Sequence, residues 1–138
     1  MRIAVAGDHH GVTLKGRLMA WLAAAGHQVD DQGTHSAGEV DDPPLCDDVC
    51  APVVTGGADR GLVLGGSGAG EAIACTKARG IRAGVCHDVW GTQISRGNND
   101  SSVLVLGVKV VSADVPSSCS ASGWPPRSRR GSTGGGWT

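Results

Sequence analysis

With 138 residues the chain has room for one packed domain and not two. Its 12 basic and 13 acidic side chains leave a formal net charge of -1, which removes the electrostatic case for nucleic acid or an anionic membrane surface as partner. No apolar run approaches the roughly 18 residues of a spanning helix, and Arg2 ahead of a short strand is no signal peptide, so a cytoplasmic location is expected.

In chain order, Arg2 to Ala6 is a short buried strand stopped by Gly7-Asp8-His9-His10-Gly11. From Thr13 to Ala25, Leu14, Leu18, Trp21, Leu22 and Ala25 recur near helical spacing, with Lys15 and Arg17 on the other side. Gly26 ends that helix. Val29 marks a second strand within His27 to Asp31, and Gly33 to Pro44 is a loop by composition. A helix over Asp47 to Thr55 stops at Gly56-Gly57, and Leu62 to Leu64 is the third strand. Glu71 to Arg79 follows as a helix, Arg82 to Cys86 as a strand, Val89 to Arg96 as a helix and Val103 to Leu106 as a fifth strand. Strands alternating with helices predict right-handed crossovers and a parallel sheet covered on both faces. The expected fold is therefore α/β, a single-domain three-layer αβα sandwich around a five-stranded parallel, Rossmann-like sheet. Ligands of such sheets gather at the carboxyl ends of the strands, which puts Asp8-His9-His10, Ser67 to Glu71 and His87-Asp88 on one rim.

The five cysteines, at 46, 50, 75, 86 and 119, are odd in number and irregularly spaced, which suits reduced thiols. Cys46 and Cys50 can share a helix face, but without a CxxC pair or nearby histidines no metal site is expected there. With Phe and Tyr absent, the core has to be built from Val, Leu, Ile and Ala.

The stretch Gly61 to Lys77, GLVLGGSGAGEAIACTK, passes from strand through a glycine turn into a helix. That order aligns backbone N–H groups at a helix N-terminus, where they can hold an anion. Glu71 at the helix start then reads as a proton-shuttling base beside donors for a developing oxyanion. The plainer alternative is a tight turn whose glycines allow close packing, with Glu71 as a favourable first-turn acid.

Three stretches carry a more specific resemblance. Gly7-Asp8-His9-His10-Gly11-Val12-Thr13-Leu14-Lys15 resembles the DHxGxxLK opening of the type B ribose-5-phosphate isomerases and the related galactose-6-phosphate isomerase subunits. Gly65-Gly66-Ser67-Gly68-Ala69-Gly70-Glu71 resembles their GGSGxGE loop, and Ser95-Arg96-Gly97-Asn98-Asn99-Asp100 their SRxHND segment. The resemblance implies cofactor-independent aldose–ketose isomerisation of a sugar phosphate, ribose 5-phosphate first, through a cis-enediolate. One branch of that family takes the C2 proton with a cysteine at the first loop position, the other with a glutamate at the last. This chain, with Gly65 and Glu71, resembles the glutamate branch.

By the same resemblance, the N–H groups of Gly66, Gly68, Ala69 and Gly70 hold the enediolate oxygens and Ser67 relays a proton between them. Asp8 and His9 contact sugar hydroxyls or phosphate, while Asn99 joins the oxyanion hole from a neighbouring subunit of a homodimer or dimer of dimers. Lys109 stands where the family carries a phosphate-binding arginine. The resemblance implies no metal and no organic cofactor. Read without it, Asp8 can be only the N-cap of the next helix, Asn98 and Asn99 plain turn residues, and His10, His27, His35 and His87 exposed loop histidines.

Departures from the pattern bear on substrate. Asn98 replaces the ring-opening histidine, and an amide cannot exchange a proton near neutrality. Either His9 or His10 opens the ring, or the substrate has none, as in a tetrose 4-phosphate. Loss of catalysis with retained sugar-phosphate binding is a further alternative. A nucleotide-binding domain is the weakest, because the loop lacks the lysine and hydroxyl of a P-loop and only Asp30 and Asp31 approach a dinucleotide pattern. Asp42 replaces the tyrosine of the family's DYP.

The isomerase domain is expected over 1–112, followed by an atypical Ser/Gly/Pro/Arg-rich tail over 113–138 with no apolar period. Arg127, Arg129 and Arg130 in it are expected to be solvated. The family's amphipathic helix is not recognisable there, and a shifted reading frame is the expected reason: sequencing the coding DNA is expected to uncover one, and a tail that stays non-helical in every frame removes the idea.

Overall fold

The computed structural model describes residues 1–33 and 42–111. The elements in chain order are β1 (Arg2–Gly7), α1 (Val12–Ala24), β2 (Gln28–Asp31), α2 (Asp42–Thr55), β3 (Arg60–Gly65), α3 (Ala69–Thr76), β4 (Ala83–Val85), α4 (Val89–Gly97) and β5 (Val103–Gly107). All ladders are parallel and the strand order is β2-β1-β3-β5-β4. The expected three-layer α/β architecture is what forms. The tail, His35 and Cys119 lie outside the described residues.

Alternation along the central strands sorts side chains by size. Ala4, Ala6, Val63, Val103 and Val105 face α2 and α3, where they meet Leu45, Cys46, Val49, Cys50 and Cys75. Ile3, Val5, Leu62, Leu64, Leu104 and Leu106 face the opposite way, over Leu18 and Leu22 of α1. Both faces are buried, so the strands read as continuous apolar runs. As expected without Phe or Tyr, aliphatic side chains fill this core, joined by buried free thiols at Cys46, Cys50, Cys75 and Cys86. Small side chains on the first face let α3 approach the sheet closely.

The end of α1 follows its chemistry: Gly26 adopts φ +94°, its N–H bonds Ala23 O (3.1 Å), and His27 N–H bonds Leu22 O (3.1 Å). Three local expectations need correction. The helix expected from Asp47 starts at Asp42, because Pro43 and Pro44 fall in its first turn, where a missing N–H costs no intrahelical bond. Lys15 is not on a solvent face: it is buried, and Nζ donates to Asp31 Oδ1 (2.9 Å) and Gly33 O (3.2 Å). His27 is half-buried, with Nδ1 at 3.2 Å from the terminal ammonium, and its pKa is lowered first by desolvation and then by that charge. His87 is exposed, as expected.

Helix α4 is attached by polar contacts. Arg96 is buried and donates from Nη1 to Ser101 O (2.5 Å), and the same nitrogen pairs with Asp100 Oδ1 at 2.9 Å. Ser95 Oγ is hydrogen-bonded to Ser101 Oγ. These bonds lock the end of α4 to the start of β5.

Removing one partner of a buried pair leaves the other charge uncompensated. Lys15→Met is therefore expected to lose about 3 kcal/mol of stability in urea denaturation. Combining it with Asp31→Asn is expected to cost less than the sum of the two single losses.

Candidate functional site

Strand β1 sends its connection toward β2, whereas β3 sends its own across β5 to β4. Where neighbouring strands diverge in this way, a crevice opens at their carboxyl ends. Asp8 follows β1 and Gly66-Ser67-Gly68 follows β3, so both reach that crevice. The two strand ends are tied by Asp8 N–H to Leu64 O at 3.0 Å.

The glycine loop is anchored from behind. Gly65 O accepts from Val108 N–H (2.8 Å) and Gly66 O from Lys109 N–H (3.0 Å). Gly68 caps α3 in the left-handed region (φ +85°), and a Cβ there would lie 3.3 Å from Gly107 N. Among the described residues, no acceptor faces the N–H groups of Gly66, Ser67 or Gly68. Together with the Gly70 N–H in the first turn of α3, they form a cradle of donors at the positive end of a helix. Ser67 is exposed, and its Oγ accepts the Ala69 N–H at 3.2 Å, leaving its hydroxyl proton to give.

Glu71 sits in the first turn of α3 and is 4% exposed. Its side chain folds back toward the cradle, so that the carboxylate rests on the Cα of Gly65: a Cβ at position 65 would land on the carboxylate atoms. Gly65 is therefore required by packing rather than by backbone angle. One volume at the end of β3 can hold the side chain of residue 65 or that of residue 71, but not both.

Asp8 is buried and accepts the His10 N–H on Oδ1 at 2.8 Å, with His10 Nδ1 3.4 Å from Oδ2. It does not cap α1, since Gly11 takes that position without a side-chain bond. The rings of His9 and His10 pack with centroids 3.8 Å apart. Asp8, His10, Ser67, Glu71 and Lys109 line one cleft of about 410 Å³, with Gly66 and Gly70 in its wall. A second cleft of about 370 Å³ adjoins it, lined by His10, Thr13, Arg17 and Lys109.

Asp8, Ser67, the loop glycines, Glu71 and Lys109 thus come together as expected. Asn98 and Asn99 do not join them within one chain. Asn99 O accepts Arg82 Nε at 2.6 Å beside the starts of β4 and β5, at the opposite rim of the sheet. His10 is exposed, as expected, and from its place on the rim after β1 it borders both clefts. Of the two acids that approach a dinucleotide pattern, Asp31 at the end of β2 is engaged by Lys15.

A family model described as Ribose/Galactose Isomerase matches residues 3–122. The chain belongs to this family. It is 39% identical over 114 residues to ribose-5-phosphate isomerase B of Escherichia coli K12, covering 83% of this chain and 76% of that one. D-Erythrulose-4-phosphate isomerase of Pectobacterium atrosepticum is 31% identical over 119 residues, covering 83% and 76%. Among solved structures, Clostridium thermocellum ribose-5-phosphate isomerase B superposes with a TM-score of 0.89 at 36% identity, covering 92% of this chain and 86% of its own. The chain is thus a sugar phosphate isomerase of this family, an aldose–ketose isomerase, and no described helix is long and apolar enough to cross a membrane.

Because residues 65 and 71 compete for one volume, Gly65→Ala is expected to displace the Glu71 carboxylate. Turnover should fall by about 100-fold, the usual scale for a misplaced catalytic group, with circular dichroism unchanged. Undiminished turnover in a folded variant would mean that the carboxylate acts from elsewhere.

Proposed function

We propose that the chain interconverts ribose 5-phosphate and ribulose 5-phosphate with Glu71 as base, and the observation that carries this is the buried carboxylate set beside unfilled N–H donors. Glu71 takes the C2 proton, and the electron pair left behind forms the C1–C2 double bond as the C1 carbonyl becomes an oxyanion. The Gly66 to Gly70 donors hold that oxyanion, in a site where preorganised dipoles act without rearrangement. Ser67 passes the O2 proton to O1, and Glu71 returns its proton to C1, giving the ketose. Every step is a proton transfer, so no redox cofactor enters the balance.

Asp8 and His9 orient the hydroxyls. Lys109 and Arg17, on the wall of the adjoining cleft that His10 also lines, supply positive charge for the phosphate. A lysine grips as a point charge, with less direction than the arginine it replaces. A second copy of the chain completes the site, because Asn98 and Asn99 lie at the far rim of their own sheet. The exposed Ile73, Val85, Val89 and Trp90 supply apolar surface for such a dimer. A cytoplasmic enzyme of sugar-phosphate metabolism is consistent with all of this.

A second reading is favoured by Asn98. Without a histidine there, a substrate that cannot close a furanose ring needs only the enediolate step. A tetrose 4-phosphate is such a substrate, and one relative carries an erythrulose-4-phosphate name.

Glu71→Gln is expected to abolish exchange of the C2 proton with solvent while sugar-phosphate binding persists; retained exchange removes Glu71 as base. Side-by-side assays of tetrose, pentose and hexose phosphates are expected to rank ribose 5-phosphate first. A tetrose preference selects the second reading, and binding without any turnover selects a catalytically impaired binder.

A further inference from the structure

The geometry points to a divalent transition-metal site formed by Asp8, His9 and His10 at the carboxyl end of β1. One carboxylate oxygen of Asp8 and one ring nitrogen of each histidine lie within 4.8 Å of one another. Asp8 Oδ2 and His10 Nδ1 are 3.4 Å apart. Two ligands held about 2.0–2.1 Å from zinc at a tetrahedral angle stand about 3.4 Å apart, so one edge of the polyhedron already has its length.

A second observation comes from His9. Its Nδ1 is buried and has no hydrogen-bond partner. A buried polar atom in that state carries a desolvation cost that a ligand can remove. The backbone explains how three consecutive residues converge. Asp8 closes a turn on the His10 N–H (2.8 Å), and Gly11 N–H returns to Asp8 O at 2.9 Å.

Two imidazoles and a carboxylate suit zinc and the late first-row metals, whereas magnesium and calcium require oxygen ligands. Lys109 on the wall of the same cleft sharpens that choice, since its charge opposes any ion held mainly by Coulomb attraction. Zinc held by three protein ligands keeps its fourth position for water. Metal and sugar share Asp8 and His9 and therefore compete. That consequence rests on the proposed function, while metal uptake itself does not.

Calorimetric titration of the full chain with zinc chloride is expected to give one ion per chain. His10→Ala should weaken it by at least about tenfold, the low end for disturbed metal sites. His10→Gln, which keeps more of the side-chain bulk, is expected to show the same loss, and thermal unfolding checks that both variants are folded. Cobalt bound in place of zinc should lack thiolate charge-transfer bands, separating this site from the buried cysteines. No uptake, equal affinity in folded His10 variants, or thiolate bands would each overturn the assignment. If zinc binds as expected but ribose 5-phosphate does not weaken it, the shared-ligand consequence fails and the metal site stands.

Discussion

The organisation of the site depends on one steric exclusion at the end of β3. Gly65 has no side chain, and the Glu71 carboxylate takes the space one would fill. That choice buries an acid in the first turn of α3, beside N–H groups that point the same way. A carboxylate held there, beside donors already in place, is the preorganised arrangement on which the proposed proton transfer rests. A side chain at position 65 and the Glu71 carboxylate are alternative occupants of that volume, which is a physical reason for one of them, and not both, to be present.

The scaffold serves this exclusion from two sides. Ala4, Ala6, Val63, Val103 and Val105 keep one sheet face shallow, so α3 can sit close to it and aim its N-terminus at the strand ends. Larger side chains over α1 fill the other face. The rims are then held by polar contacts of two buried cations: Lys15 with Asp31 beside β2, and Arg96 with Ser101 and Asp100 at the start of β5. A buried charge of this kind is tolerated where it keeps a close partner.

Charge and shape are distributed along the crevice. The acid and the donors stand at the switch point, while Lys109, Arg17 and His10 border the adjoining cleft. Asparagines 98 and 99 belong to the other rim of the same chain. The proposed site, if it uses them, has to be assembled between copies. His10 lies at the junction of the two clefts and within reach of Asp8 and His9.

Much of this was open to inspection in the amino-acid order. Apolar runs separated by helical spacing and glycine turns identify an α/β sheet, because short strands buried on both faces have no other way to be satisfied. The order Gly65 to Glu71 likewise identifies a helix-start anion cradle with an acid in its first turn, since both are local properties of a few consecutive residues. Long-range packing was decided elsewhere. Strand order, which sets the switch point, depends on crossovers that no local pattern encodes. The burial of Lys15 depends on Asp31 sixteen residues on, and the start of α2 at Asp42 on prolines that look like loop but suit a first turn. Only the tertiary structure could bring Glu71 against Gly65 and His10 against both clefts, because those contacts arise when separate strands and helices close on one another.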